Sequence, residues 1–186
     1  MSHADVVAWA RDGVLLVALG LALYTDLTRG KVYDWLALPA IGLGLLISCV
    51  AGAVDATQGN AFRPLIASLA GLALAIGIFG VAYLLHMLGG GDVKLLAAVG
   101  ALMGWRFFLD AAVLTVCAGA IVAVGVLVWR GRLREGLKGS VMALVAPRRF
   151  KEAREKTPPG SAELMTLPYT VAIVAGTLVA WILTQA

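Results

Sequence analysis

Apolar residues in this chain fall in long runs, each near the twenty residues a helix needs to cross the hydrocarbon core of a bilayer, with short polar breaks between them. The first run is Val6 to Tyr24, interrupted by Arg11 and Asp12 towards its outer end. A polar loop follows, Thr25 to Asp34, and then an uncharged second run from Leu36 to Val54. Asp55 to Arg63 reads as a turn, and Pro64 to Leu88 as the third span. Val93 to Trp129 is too long for one crossing and must fold back, at Gly104-Trp105-Arg106 or at Asp110. Arg130 to Glu163 is the one long polar segment, and Leu164 to Thr184 the last span. The pattern predicts an all-α polytopic membrane protein of about six transmembrane helices, folded as a single membrane-embedded domain over residues 1–186.

Composition agrees: 61% of residues are hydrophobic and 14% charged, against about 25% charged in an average soluble domain. The net charge of +4 reads as loop bias and not as nucleic-acid binding. Of 15 Lys and Arg residues, three (Arg11, Arg63, Arg106) lie on one side of a six-span topology. The others, Arg29, Lys31, Lys94 and those of the 130–163 loop, lie opposite, and the positive-inside rule makes that side cytoplasmic. The basic loop is expected to lie against anionic lipid headgroups. Met1 to Asp12 lacks the basic start and small-residue cleavage site of a secretory signal, so the first helix is expected to stay attached. Cys49 and Cys117 each sit in an apolar run without a CxxC partner, which argues against a zinc site or disulfide framework.

The candidate chemistry lies between the third and fourth spans, in Gly89-Gly90-Gly91-Asp92-Val93-Lys94. A carboxylate flanked by membrane helices is costly to desolvate and marks a functional site by default. Glycines beside it allow positive φ and close backbone approach. If the chain folds back at Gly104, Asp92 lies only about 18 Å along the helix from that turn, below the membrane surface. The topology also brings Asp26, at the end of helix 1, to the same face. Two acids sharing one site do not both ionise readily, so one keeps its proton while the other activates a water. The helix dipoles favour the charge on Asp92 and the proton on Asp26.

Asp26 after the first span, Gly89-x-Gly91-Asp92 with Val93-Lys94, and Pro168-Tyr169 opening the last span resemble the type IV prepilin peptidases, membrane aspartyl peptidases with a GxGD motif. The resemblance implies Asp26 and Asp92 as the catalytic pair, with Gly89, Gly91, Lys94, Pro168 and Tyr169 shaping the site. It implies type IV or Flp prepilins or pseudopilins as substrates, cleaved at the cytoplasmic face of the inner membrane of a bacterium. Larger members carry an additional cytoplasmic region with paired cysteine motifs and also methylate the new N-terminus. Here the loop between the first two spans is about ten residues long and has no cysteine. The chain therefore resembles the small, peptidase-only form of Tad/Flp systems, with no S-adenosylmethionine site, no cofactor and no metal.

Plainer roles stand beside these. Asp92 could simply cap helix 4, Asp26 pair with Arg29, Asp34 cap helix 2, and Lys94 reach towards headgroups. Another GxGD protease, of the signal-peptide-peptidase or presenilin kind, would show Tyr-Asp and Pro-Ala-Leu where this chain has Tyr24-Thr25-Asp26 and Leu167-Pro168-Tyr169. A transporter or pilus-assembly scaffold using buried acids without hydrolysis is the alternative from a different class. Substrate identity and oligomeric state leave no mark on the sequence.

Overall fold

The computed structural model describes residues 3–29, 34–55, 61–85, 88–129 and 169–185. These form five helices and, among the described residues, no strand: α1 (His3–Arg29), α2 (Asp34–Asp55), α3 (Arg63–Leu84), α4 (Gly90–Trp129) and α5 (Tyr169–Gln185). Four of them, α1 to α4, are long and apolar enough to cross a membrane, and α5 is a shorter apolar helix. This is a multi-pass membrane protein. Large side chains such as Leu46, Ile66, Val113, Ile121 and Leu183 are exposed on the outside of the bundle, where lipid would meet them. His86, Pro168 and the basic 130–163 loop fall outside the described residues.

Helix α4 breaks at Gly104, whose φ of 81° and ψ of 174° lie in a region essentially confined to glycine. Of the two turn positions the sequence allows, the chain uses this one. The 105–129 arm then runs back beside the 90–103 arm: Thr170 of α5 meets Asp92 on the first, and the Tyr169 ring rests 3.4 Å from where a Cβ of Gly119 would stand on the second.

The first arm is the axis of the bundle. Every residue from Leu95 to Leu102 is buried, so no face of this stretch meets lipid. Half of them are Ala or Gly, which lets neighbouring backbones come close. A Cβ at Gly44 of α2 would stand 2.9 Å from the Ala101 carbonyl, and one at Gly71 of α3 would stand 2.9 Å from the Gly100 carbonyl carbon. Ser68 of α3 donates a hydrogen bond to the Ala101 carbonyl in the same seam. On the other side Phe108 of the second arm, fully buried, meets Phe79 of α3 edge-on at 6.1 Å.

Two helix ends differ most from the sequence expectation. Helix α1 continues past Tyr24 to Arg29. The polar residues there do not end it, because the Thr25 and Thr28 hydroxyls donate to the Ala22 and Tyr24 carbonyls of the preceding turn, at 3.0 and 2.7 Å. Helix α3 stops at Leu84, four residues before the apolar run does, and the Leu85 N–H closes its last turn on the Val81 carbonyl.

Candidate active site

Asp92 lies in the first turn of α4, and Gly90 and Gly91 are themselves helical. The glycines therefore do not supply the positive φ expected of them; among the described glycines only Gly104 has it. What Gly89 supplies is room. A Cβ there would stand 3.1 Å from Oδ2 of Asp92, and the carboxylate accepts a hydrogen bond from the Gly89 backbone. The Val93 N–H bonds the Gly89 carbonyl at 3.3 Å, so Gly89 takes the cap position and Asp92 reaches back to it, as the acid of a capping box does.

The other carboxylate oxygen, Oδ1, accepts a hydrogen bond at 3.1 Å from the hydroxyl of Thr170, in the first turn of α5. Tyr169, beside it, is half-buried with its phenol in the field of Asp92. Lys94 lies two residues further along α4, partly buried.

The position of Asp26 follows from helix geometry. Towards the other end of α1, Oδ2 of Asp12 accepts a hydrogen bond at 3.2 Å from Gln185, near the end of α5; because Asp26 acts on Asp92, which Thr170 at the start of α5 bonds, the two helices run antiparallel. From Asp12 to Asp26 is about 21 Å along α1, and from Gln185 back to Thr170 is about 22 Å along α5. Fourteen residues are also close to four full turns, about 40° short, so Asp26 faces the same way as Asp12. It arrives level with Thr170 and Asp92. The Asp26 carboxylate is indeed among the charges that act on Asp92.

The site is set below the end of the second arm of α4. Gly119, level with Tyr169, leaves about ten further residues of helix, about 15 Å, before Trp129. A cavity of about 280 Å³ opens at the opposite end of the bundle, beside Gly104, Arg11, Ser48 and Pro64, and includes neither acid. Among the described residues, no three His, Cys, Asp or Glu are grouped to hold a metal ion.

The acids thus lie at one end of the bundle, within range of each other's charge, on helices that reach it from opposite directions, and the GxGD segment supplies the second of them. Residues 13–124 match the model of the type IV leader peptidase family, a span that holds Asp26, Asp92 and both arms of the α4 elbow. The chain belongs to that family. Its relatives include a prepilin leader peptidase/N-methyltransferase of Burkholderia pseudomallei (strain 1026b), 36% identical over 136 residues, or 66% of this chain and 41% of the relative. Proteins of the same description from Aeromonas salmonicida (strain A449) and Aeromonas hydrophila are 32% identical over 127 residues, 66% of this chain and 42% of theirs. The chain spans about two fifths of the length of these curated relatives. No solved structure matches it.

Thr170 is the site residue that sequence reasoning missed. The resemblance in the sequence ends at Pro168-Tyr169, one position short. A signal was present: Thr170 and Thr177 are the only polar side chains between Tyr169 and Trp181, and both face inward.

Proposed function

We propose that this protein is an aspartyl endopeptidase that removes the basic leader from type IV or Flp prepilins or pseudopilins, with Asp26 and Asp92 as its catalytic pair. The observation that carries the reading is the arrival of these two carboxylates at one end of the bundle, within range of each other's charge. In the mechanism, Asp26 is protonated and donates a hydrogen bond to the scissile carbonyl, and Asp92 takes a proton from the attacking water. The water oxygen adds to the carbonyl carbon. When the tetrahedral intermediate collapses, the C–N bond breaks and the amine leaves with a proton from the pair. The start of α4 at Asp92 and the hydrogen bonds that its carboxylate accepts from Thr170 and the Gly89 backbone support the base role of this residue. Gly89, Gly91, Lys94 and Tyr169 shape the site around the pair, and Pro168 opens the segment that leads into α5.

The chain crosses the bacterial inner membrane six times in this reading, with the elbow at Gly104 turning α4 into two crossings and α5 making the last. The excess of Lys and Arg on one side supports a cytoplasmic position for the acids. Neither a cofactor nor a metal takes part. Methyl transfer is absent too in this reading, which is supported by the short, cysteine-free loop after α1.

The test is co-expression with a prepilin, following its shift to mature size. Asp26→Asn and Asp92→Asn each keep the side-chain shape and remove the acid. Each is expected to reach the membrane at wild-type levels and to leave the precursor uncleaved. Near-normal cleavage by either variant would remove that residue from the pair, and failure of the wild type to cleave would refute the peptidase reading. Methyl incorporation from S-adenosylmethionine into pilin processed by the purified protein would refute the peptidase-only reading.

A further inference from the structure

Thr170 is 1% exposed and its hydroxyl is spent on one partner, Oδ1 of Asp92, 78 residues away in sequence. The opposite oxygen, Oδ2, lies against Gly89, where no side chain intervenes, and the Gly89 backbone donates to the same carboxylate. The carboxylate is thus held by two elements, the α4 cap through the Gly89 backbone and α5 through the Thr170 hydroxyl on Oδ1. Both Thr170 and Asp92 lie in first turns, so the positive ends of two helix dipoles converge on this one group. Such a grip leaves little freedom about χ2. It sets which way the lone pairs of Asp92 point, the quantity that matters for a base that must meet a water held between two acids.

We propose that Thr170 is a positioning residue for Asp92, its hydroxyl holding the carboxylate in the orientation from which it accepts the proton of the attacking water. This deepens the peptidase reading and rests on it. A residue acting this way affects the chemical step and not the capture of the substrate, and it acts through its hydroxyl and not through its bulk. Valine keeps the shape of threonine and removes the hydroxyl; serine keeps the hydroxyl and removes the methyl.

The experiment uses the full chain, purified into lipid nanodiscs, with a type IV prepilin as substrate and initial rates over a range of substrate concentrations. For T170V, kcat is expected to fall about ten- to a hundredfold, the size of a lost hydrogen bond to a charged group, with KM within about twofold of wild type. T170S is expected to stay within about threefold of wild type in both constants. Wild-type kcat in T170V, a loss carried mainly by KM, or a T170S as slow as T170V would each overturn the proposal, the last by showing that the methyl and not the hydroxyl is needed. Membrane abundance and the thermal midpoint are measured for each variant. If T170V does not accumulate, T170A takes its place in the same comparison with the same outcomes. If the wild type cleaves no prepilin, the peptidase reading fails and this inference with it; if it cleaves and T170V is undiminished, only the inference fails.

Discussion

The contact between α3 and the first arm of α4 depends on two hydrogen atoms standing where side chains would be, and Gly71→Ala tests this directly. A Cβ at Gly71 would lie 2.9 Å from the Gly100 carbonyl carbon, 2.8 Å from that of Gly104 and closer still to the Gly100 oxygen, where ordinary contacts begin at 3.4 Å. All of these are buried backbone atoms, so none can swing aside. The helices must instead separate by about 0.5–1 Å, and overpacking of this kind costs about 1–3 kcal/mol. The seam also loses the close packing that, in lipid, takes the place of a hydrophobic driving force between helices. Midpoints of chains this long move by about 2–4 °C per kcal/mol, so the purified variant should melt about 2–12 °C below wild type. Gly77→Ala is the matched control on the same helix: a Cβ there meets nothing within 4 Å, and alanine favours the helix by up to about 1 kcal/mol. It should melt with the wild type or slightly above. The reasoning is refuted if G71A melts with wild type, or if G77A falls as far.

Two further outcomes follow from other positions. Gly104→Ala forces a side chain into backbone space that only glycine occupies easily, at a cost of about 1–3 kcal/mol, and should lower the melting midpoint although its Cβ would only touch Ala67 at 3.4 Å. An unchanged midpoint would show that the elbow relaxes. Thr177→Val should leave the midpoint equal or raise it by the equivalent of about 1 kcal/mol, because the fully buried Thr177 hydroxyl has no hydrogen-bond partner among the described residues and valine keeps its shape. A clear drop in the T177V midpoint would reveal a partner for that hydroxyl.

The sequence is legible where membrane physics leaves one solution and opaque where two helices negotiate an end. The apolar runs yield α2 within two residues at its start and one at its end, because Asp34 and Asp55 bound a stretch with no other charge. They misplace the end of α1, because Thr25 and Thr28 look like loop residues yet satisfy themselves on their own helix. They carry α3 too far, since apolarity alone does not say where a chain must reverse. Glycine is the hardest residue to read. Gly89, Gly90 and Gly91 suggest unusual torsions but provide space and helix, while the one described glycine with positive φ, Gly104, is read only as one of two turn positions. The meeting of Asp26 with Asp92 follows from the topology and the charge pattern. The grip of Thr170 does not, because a contact between helices so far apart in sequence leaves no periodic trace in either.

The origin of that grip ties the site to the order of synthesis. Asp26, Gly89 and Asp92 are all translated by the time α4 is complete, but residues 130–168 still separate them from α5. At about 5–20 residues per second the ribosome takes about two to eight seconds to make that stretch. Throughout the interval both acids can be in the bilayer while Asp92 has no α5 to face. The grip is completed only by a docking step, when α5 seats its first turn against the carboxylate. Damage to α5 far from either acid, by weakening that docking, would therefore reach the chemistry without touching it.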